Sequence, residues 1–259
     1  MQKDSPSSSV RRAMVTGASE GIGRVFARRL AEQGYALTLV ARNEDRLRAL
    51  VADLPGVGHA ILVADLSKKE GTSAAVNALS GESIFTLLVN NAGFGQLGDF
   101  TEIPLTRYEE MMAVNLRALV ALAHVFLSRA KKGDGLIQIS STLSFFPMPR
   151  QAVYAATKAF VTSFTESLWF QYRKVGVTVL NVCPGSTKTL FADRAGGMRV
   201  PVPEFVTETP EQVVDAALRA FERRKGPTLV CGWKNRFAVF TARFVSRKVI
   251  VEVMGKMRQ

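Results

Sequence analysis

Thr16-Gly17-Ala18-Ser19-Glu20-Gly21-Ile22-Gly23 is the stretch that decides the fold. The apolar run Ala13-Met14-Val15-Thr16 leads into it with the character of a buried strand. Ile22, Val25, Phe26 and Leu30 follow at helical spacing, on one face of a helix expected over 21–33. Glycines between a first strand and a first helix let the backbone turn tightly and approach a pyrophosphate. The helix N-terminus then offers unpaired N–H groups and a partial positive charge. Gly17, Ser19, Gly21, Ile22 and Gly23 are therefore candidate contacts to a dinucleotide. The spacing is G-x-x-x-G-x-G, not G-x-G-x-x-G. A structural turn would explain the glycines alone; their place after the first strand carries the argument.

Working outward, apolar runs alternate with helical periodicities. Further strands are expected at 36–41, 60–64, 84–90, 136–140, 177–183 and 228–231. A helix capped by Asn43 carries Leu47, Leu50, Val51 and Leu54, and another follows Asp65. The stretch 105–130 reads as helical with one break, and 151–175 as one long helix. Thr209 is a plausible cap for a helix over 210–223, with Pro210 at its first position. Strands alternating with helices make an α/β fold, a doubly wound parallel sheet of seven strands covered on both faces. With no repeat or linker, one domain is expected over 12–232, after a flexible polar tail at 1–11 and before a helical extension at 233–259.

The net charge is +12. A basic balance fits a cofactor carrying several phosphates, and equally a generally basic solvated surface. Nucleic acid is not an expected partner, because no helix-turn-helix, zinc site or aromatic-basic platform accompanies the charge. Cys183 and Cys231 form neither a CxxC pair nor a Cys/His cluster, so neither a metal site nor a disulfide framework is expected. The Ser-rich N-terminus lacks the apolar core of a secretory signal, and no run of 18 apolar residues suggests a transmembrane helix. A cytoplasmic protein is the expectation, with peripheral membrane association as the alternative.

The second strand ends Val40-Ala41-Arg42. An acid here would hold a ribose 2′-hydroxyl, whereas an arginine suits a 2′-phosphate, so NADP(H) is expected over NAD(H). The ordinary alternative for Arg42 is a solvated helix-start cation. Asp65-Leu66 follows the third strand, where a carboxylate could accept from the adenine amino group or cap the next helix. Asn91, Ala92 and Gly93 follow the fourth strand, leaving room for the adenosine ribose and bracing the sheet.

Tyr154 and Lys158 lie four residues apart on one helix face. An ammonium beside a phenol lowers its pKa and makes it a general acid or base nearer neutral pH. Ser141, after the fifth strand, could hold the substrate oxygen beside that phenol, and Asn115 could hold a water linking Lys158 to solvent. Each residue alone has a structural explanation; their joint occurrence in this order does not.

With these residues in hand, the chain resembles a short-chain dehydrogenase/reductase over about residues 12–232. Thr16-Gly17-x-x-x-Gly21-x-Gly23, Asn90-Asn91-Ala92-Gly93, Asn115, Ser141, Tyr154-x-x-x-Lys158 and Pro184-Gly185 all fall where that family has its motifs. The resemblance implies a seven-stranded Rossmann sheet, a catalytic Asn115–Ser141–Tyr154–Lys158 tetrad, and a homodimer or homotetramer built on the long helices. It implies that Lys158 also holds the nicotinamide ribose, that Pro184 and Gly185 border the cofactor, and that Thr187 contacts its carboxamide. Glu20 departs from the basic residue that many NADP-preferring relatives carry before the second glycine. A non-catalytic NADP(H)-sensing regulator on the same fold is the alternative function, and the intact tetrad argues against it.

The segment 185–207 has the character of a substrate lid. Phe191, Met198 and Val200, with Phe94, Leu143, Phe145, Phe146 and Met148, suggest an apolar pocket for an acyl, steroid-like or aromatic carbonyl substrate. Beyond it, Phe237, Phe240, Phe244, Val249, Val253 and Met257 form an apolar stripe among basic residues. Packing on the domain or on a partner subunit is expected for this stripe. Contact with an anionic membrane surface through 236–259 is the alternative.

Overall fold

A computed structural model of the chain describes residues 10–189 and 207–256. Residues 1–9 of the tail expected at 1–11 and most of the lid expected at 185–207, including Phe191, Met198 and Val200, lie outside the described residues, as does Met257.

The seven strands are β1 Arg12–Thr16, β2 Ala36–Ala41, β3 Ala60–Val63, β4 Leu87–Asn90, β5 Gly135–Ile139, β6 Thr178–Cys183 and β7 Thr228–Val230. They form one parallel sheet in the order β3-β2-β1-β4-β5-β6-β7. Strand order reverses between β1 and β4, which opens a crevice at their carboxyl ends, as in doubly wound sheets. Alternation along each strand feeds two cores. Val15, Leu39, Val89, Ile137 and Val182 face α1 Gly21–Glu32, α2 Glu44–Ala52 and α7 Pro210–Glu222. Met14, Val40, Leu88, Leu136 and Val179 face α3 Lys69–Ser80, α5 Leu119–Arg129 and α6 Ala152–Tyr172.

The helix starts differ in a way that matters for the site. Asn43 Oδ1 accepts from Arg46 N at 2.8 Å and caps α2. Thr209 and Gln212 form a capping box on α7, with Pro210 at its first position. At α1 the N-cap is Glu20, whose carboxylate makes no capping hydrogen bond, and the first turn holds no acid. Its N-terminal N–H groups point toward the crevice end of β1.

The break expected within 105–130 is a π-helical turn, Ala113–Ala118, between α4 Leu105–Met112 and α5. The continuous run Leu105–Arg129 is long and apolar enough to cross a membrane by length and composition, but half of its apolar window is buried in the domain. The C-terminal extension is two short helices, α8 Trp233–Thr241 and α9 Arg247–Lys256. Phe237, Phe240, Phe244, Val249 and Val253 of its apolar stripe are exposed, so among the described residues the stripe does not pack on the domain, the first of the two contacts expected for it. α8 touches the domain with its opposite face, through the buried Val239, and α9 has no buried residue.

Candidate active site

The cofactor end is built from backbone tied to backbone. Gly17 N and Ala18 N both donate to Val40 O, at 2.8 and 3.3 Å, fixing the turn to the end of β2. Thr16 Oγ1 accepts from the N–H groups of Asn91 and Ala92, each at 3.0 Å. Asn91 Nδ2 donates to Thr16 O and Gly17 O. The expectation that Asn91 and Ala92 brace this end is thus met by a specific clamp. Gly17 has φ +66°, which favours glycine, and a Cβ at Gly23 would sit 2.2 Å from Gly17 O. The cradle therefore has the close, side-chain-free approach that a pyrophosphate needs, and it opens on the uncapped start of α1.

Around the ribose end, Arg42 is exposed and close enough to Asp65 to act on its carboxyl. Burial pushes the Asp65 carboxyl up, but hydrogen bonds from Ser67 N and Oγ, with Arg42 and Lys68, outweigh it and hold the group below the usual range. Asp65 does not cap α3, whose N-cap is Lys68; it closes a turn on Ser67. The Leu66 side chain is buried in the core, so any cofactor contact from Leu66 is through its backbone. Glu20 pairs with Arg46 at 2.6 Å, so the acid that departs from the NADP pattern is charge-compensated by a second arginine.

At the catalytic end, four residues converge from three elements. Ser141 follows β5 as the N-cap of a 3-10 turn, Thr142–Ser144, and its Oγ accepts from Leu143 N at 3.1 Å. Its hydroxyl is close enough to the Tyr154 phenol of α6 to act on it. Lys158 Nζ donates to Ile139 O at 2.8 Å and lies 5.7 Å from the Tyr154 ring centroid. A Cβ at Gly93 would lie 3.0 Å from Asn115 Oδ1 and 3.4 Å from Lys158 Nζ, so only glycine leaves these groups undisturbed. Beneath them, Ser140 Oγ donates to the Lys158 backbone carbonyl and shares a hydrogen bond with Thr162, pinning α6 to β5.

The Asn115 side chain is held from two segments: Oδ1 accepts from Phe94 N, and Nδ2 donates to Phe94 O and Thr157 Oγ1. Its amide anchors the loop after β4 to α6, and the π turn carries it to that position. One expectation needs correction: in the protein by itself the phenol is not brought below its ordinary value. Burial pushes the Tyr154 phenol up, against the hydrogen bond from Ser141, and it pushes the Lys158 amine down to about 8. Both shifts have one cause: two buried groups each resist carrying charge.

Thr187 lies at the base of the lid region, donating to Gly185 O at 3.1 Å and forming a parallel bridge with Glu208. A Cβ at Gly185 would run into Asn235 at 2.3 Å, so Pro184-Gly185 is also where α8 docks. Asn235, Thr157, Ser140 and Thr162 were not singled out from sequence, because their signal lies in contacts between distant segments. Phe94, Leu143 and Val153 pack against the cluster of Tyr108, Met111 and Tyr154, giving the site apolar surroundings.

A family model described as short chain dehydrogenase matches residues 11–198. The chain is 30% identical over 216 residues to the very-long-chain 3-oxoacyl-CoA reductase of Anas platyrhynchos, covering 80% of this chain and 67% of that one. It is 31% identical over 212 residues to sulfoacetaldehyde reductase 2 of Chromohalobacter salexigens, covering 79% and 84%. A short-chain dehydrogenase from Sphingobium yanoikuyae, solved in complex with NADPH, superposes with a TM-score of 0.77 at 32% identity over 90% of this chain and 93% of that one.

Proposed function

The chain belongs to the short chain dehydrogenase family of oxidoreductases, and from that premise we propose that it reduces a ketone or aldehyde with NADPH, or oxidises the corresponding alcohol, with Tyr154 as the proton-transferring group. The observation that carries the reading is the meeting of Ser141, Tyr154 and Lys158 in one buried cluster that also includes Gly93 and Asn115.

When bound, the dinucleotide supplies or accepts the hydride. Gly17, Ser19, Gly21, Ile22 and Gly23 would hold its pyrophosphate, Arg42 and Arg46 the 2′-phosphate, Asp65 the adenine, and Lys158 the nicotinamide ribose. Asn91, Ala92 and Gly93 would leave room for its adenosine ribose, and Pro184, Gly185 and Thr187 would border its nicotinamide half. Ser141 Oγ orients the substrate oxygen, and Tyr154 Oη gives it a proton during reduction. Lys158, charged below about pH 8, stabilises the phenolate this leaves. Asn115 keeps the loop of Phe94 and Gly93 in place.

Preference for NADP(H) is supported by the exposed Arg42 at the end of β2 and by the pairing of Glu20 with Arg46. A hydrophobic substrate is supported by Phe94, Leu143 and Val153 around Tyr154. A homodimer or homotetramer on α5 and α6 is supported by Phe160 and Phe170, which α6 exposes. Steady-state kinetics over a panel of ketones, aldehydes, 3-oxoacyl thioesters, steroids and quinones, with NADPH and NADH in parallel, tests the reading. NADPH is expected to be preferred, and Arg42→Ala to reduce that preference about tenfold or more, as for loss of a hydrogen bond to a charged group. Strong preference for NADH, or no turnover with any panel member, contradicts it.

A further inference from the structure

The C-terminal helices leave a surface that the oxidoreductase chemistry does not use. Trp233, Phe237, Phe240 and Phe244 are 68%, 65%, 56% and 77% exposed. At 3.6 residues per turn, Trp233, Phe237 and Phe240 fall within an arc of about 60° on α8. The Phe240 and Phe244 rings are in edge contact at 5.4 Å, continuing the ridge past the end of the helix. Val249 and Val253 extend the exposed apolar surface along α9.

Cations border this ridge. Lys234 Nζ lies 5.4 Å from the centroid of the Trp233 ring on one side. Arg236 and Arg243 fall on the other flank and are exposed, with Arg236 also near Glu208. Arg247, Lys248 and Lys256 follow on α9, so residues 233–256 carry six cations against the single acid Glu252. Aromatic rings flanked by cations match a lipid–water boundary whose headgroups are anionic: rings enter the acyl boundary while cations meet phosphates. A second copy of the chain fits less well, because a two-fold contact through this face would set cations against cations.

The position of the surface adds to this. Asn235 of α8 abuts Gly185, and Gly255 of α9 lies against Pro149, on the loop that follows Ser141. Both ends of the pair thus touch loops that flank the Tyr154 site. We propose that α8 and α9 dock the protein on an anionic lipid surface, with Trp233, Phe237, Phe240 and Phe244 inserted at the headgroup boundary and the substrate opening beside the bilayer.

The full chain should co-sediment with phosphatidylcholine vesicles containing phosphatidylglycerol, and high salt should release much of it. Vesicles of phosphatidylcholine alone should retain at least about tenfold less, as should anionic vesicles offered the Phe237→Ser/Phe240→Ser/Phe244→Ser variant. That variant should keep its lipid-free turnover, since none of the three residues belongs to the reaction site. If it does not fold, Arg243→Glu/Arg247→Glu, which leaves every ring in place, carries the same test. The proposal is overturned by absence of binding to anionic vesicles, by equal binding to neutral ones, or by variants that bind as well as the parent. Light scattering adds one more contrary result: a serine variant with a smaller assembly than the parent would make the face a subunit contact. None of these readouts depends on which carbonyl the enzyme reduces.

Discussion

The glycine-rich turn after β1 and the helix pair after β7 solve opposite problems. At the turn, every neighbour is close: Gly23 admits no Cβ, Asn91 clamps Thr16 and Gly17, and Phe26 of the following helix is fully buried. At the tail, four aromatic rings stand in solvent and only Val239 of α8 is buried. The first region is specified by what the backbone must leave room for. The second is marked by aromatic rings that the described residues leave exposed. The same residue type, phenylalanine, is structural in one and available for contact in the other.

The contrast is most exposed to test through stability. Phe26→Ala should cost about 3–5 kcal/mol, as for an emptied core site. Phe237→Ser should change unfolding free energy by less than about 0.5 kcal/mol, as for a surface site. Denaturant melts of the two variants check both, and a large loss at Phe237 would mean the tail is packed after all. Next in size, Gly23→Ala puts a methyl against Gly17 O, and strain of up to about 3 kcal/mol should weaken NADPH binding by as much as about 100-fold while leaving vesicle binding alone. Fluorescence titration of NADPH measures it; unchanged affinity would mean the turn is not the pyrophosphate cradle.

The smallest expected effect is on pH. The Lys158 amine is held down to about 8 by burial, so it is charged below that pH and neutral above it. Burial moves the Tyr154 phenol upward, so it stays protonated across this range. For carbonyl reduction, kcat/KM should therefore be level below about pH 8 and fall above it. In Lys158→Arg that falling limb should move to higher pH, because a guanidinium keeps its proton. A limb at the same pH in both proteins would assign it to another group.

What was legible in the sequence follows the same division. The strand positions, the Gly17–Gly23 turn and the Tyr154/Lys158 spacing were readable because each is local: apolar runs for buried strands, glycine where only glycine fits, four residues for one helical face. The hydrogen-bond partners of Asn115 were not legible because Phe94 and Thr157 come from other segments, and because a π turn rather than a simple break sets its direction. The upward shift of the Tyr154 phenol was not legible because spacing says nothing of depth, and burial dominates both groups. The ion pair of Glu20 with Arg46 joins residues 26 apart, so sequence spacing did not reveal it. At the tail, the amphipathic pattern was read correctly, but a pattern does not say which way a helix faces.

The central claim is that Tyr154 transfers the proton that accompanies hydride transfer. Tyr154→Phe removes one hydroxyl and keeps the ring that packs with Phe94, Leu143 and Val153. Turnover of NADPH with the best carbonyl of the panel should drop by about 100-fold to 10,000-fold, the usual range for loss of a general acid. NADPH affinity measured on the same preparation should stay within about twofold of the parent, a shift below about 0.5 kcal/mol. A variant that retains near-parental turnover with intact NADPH binding would contradict the account.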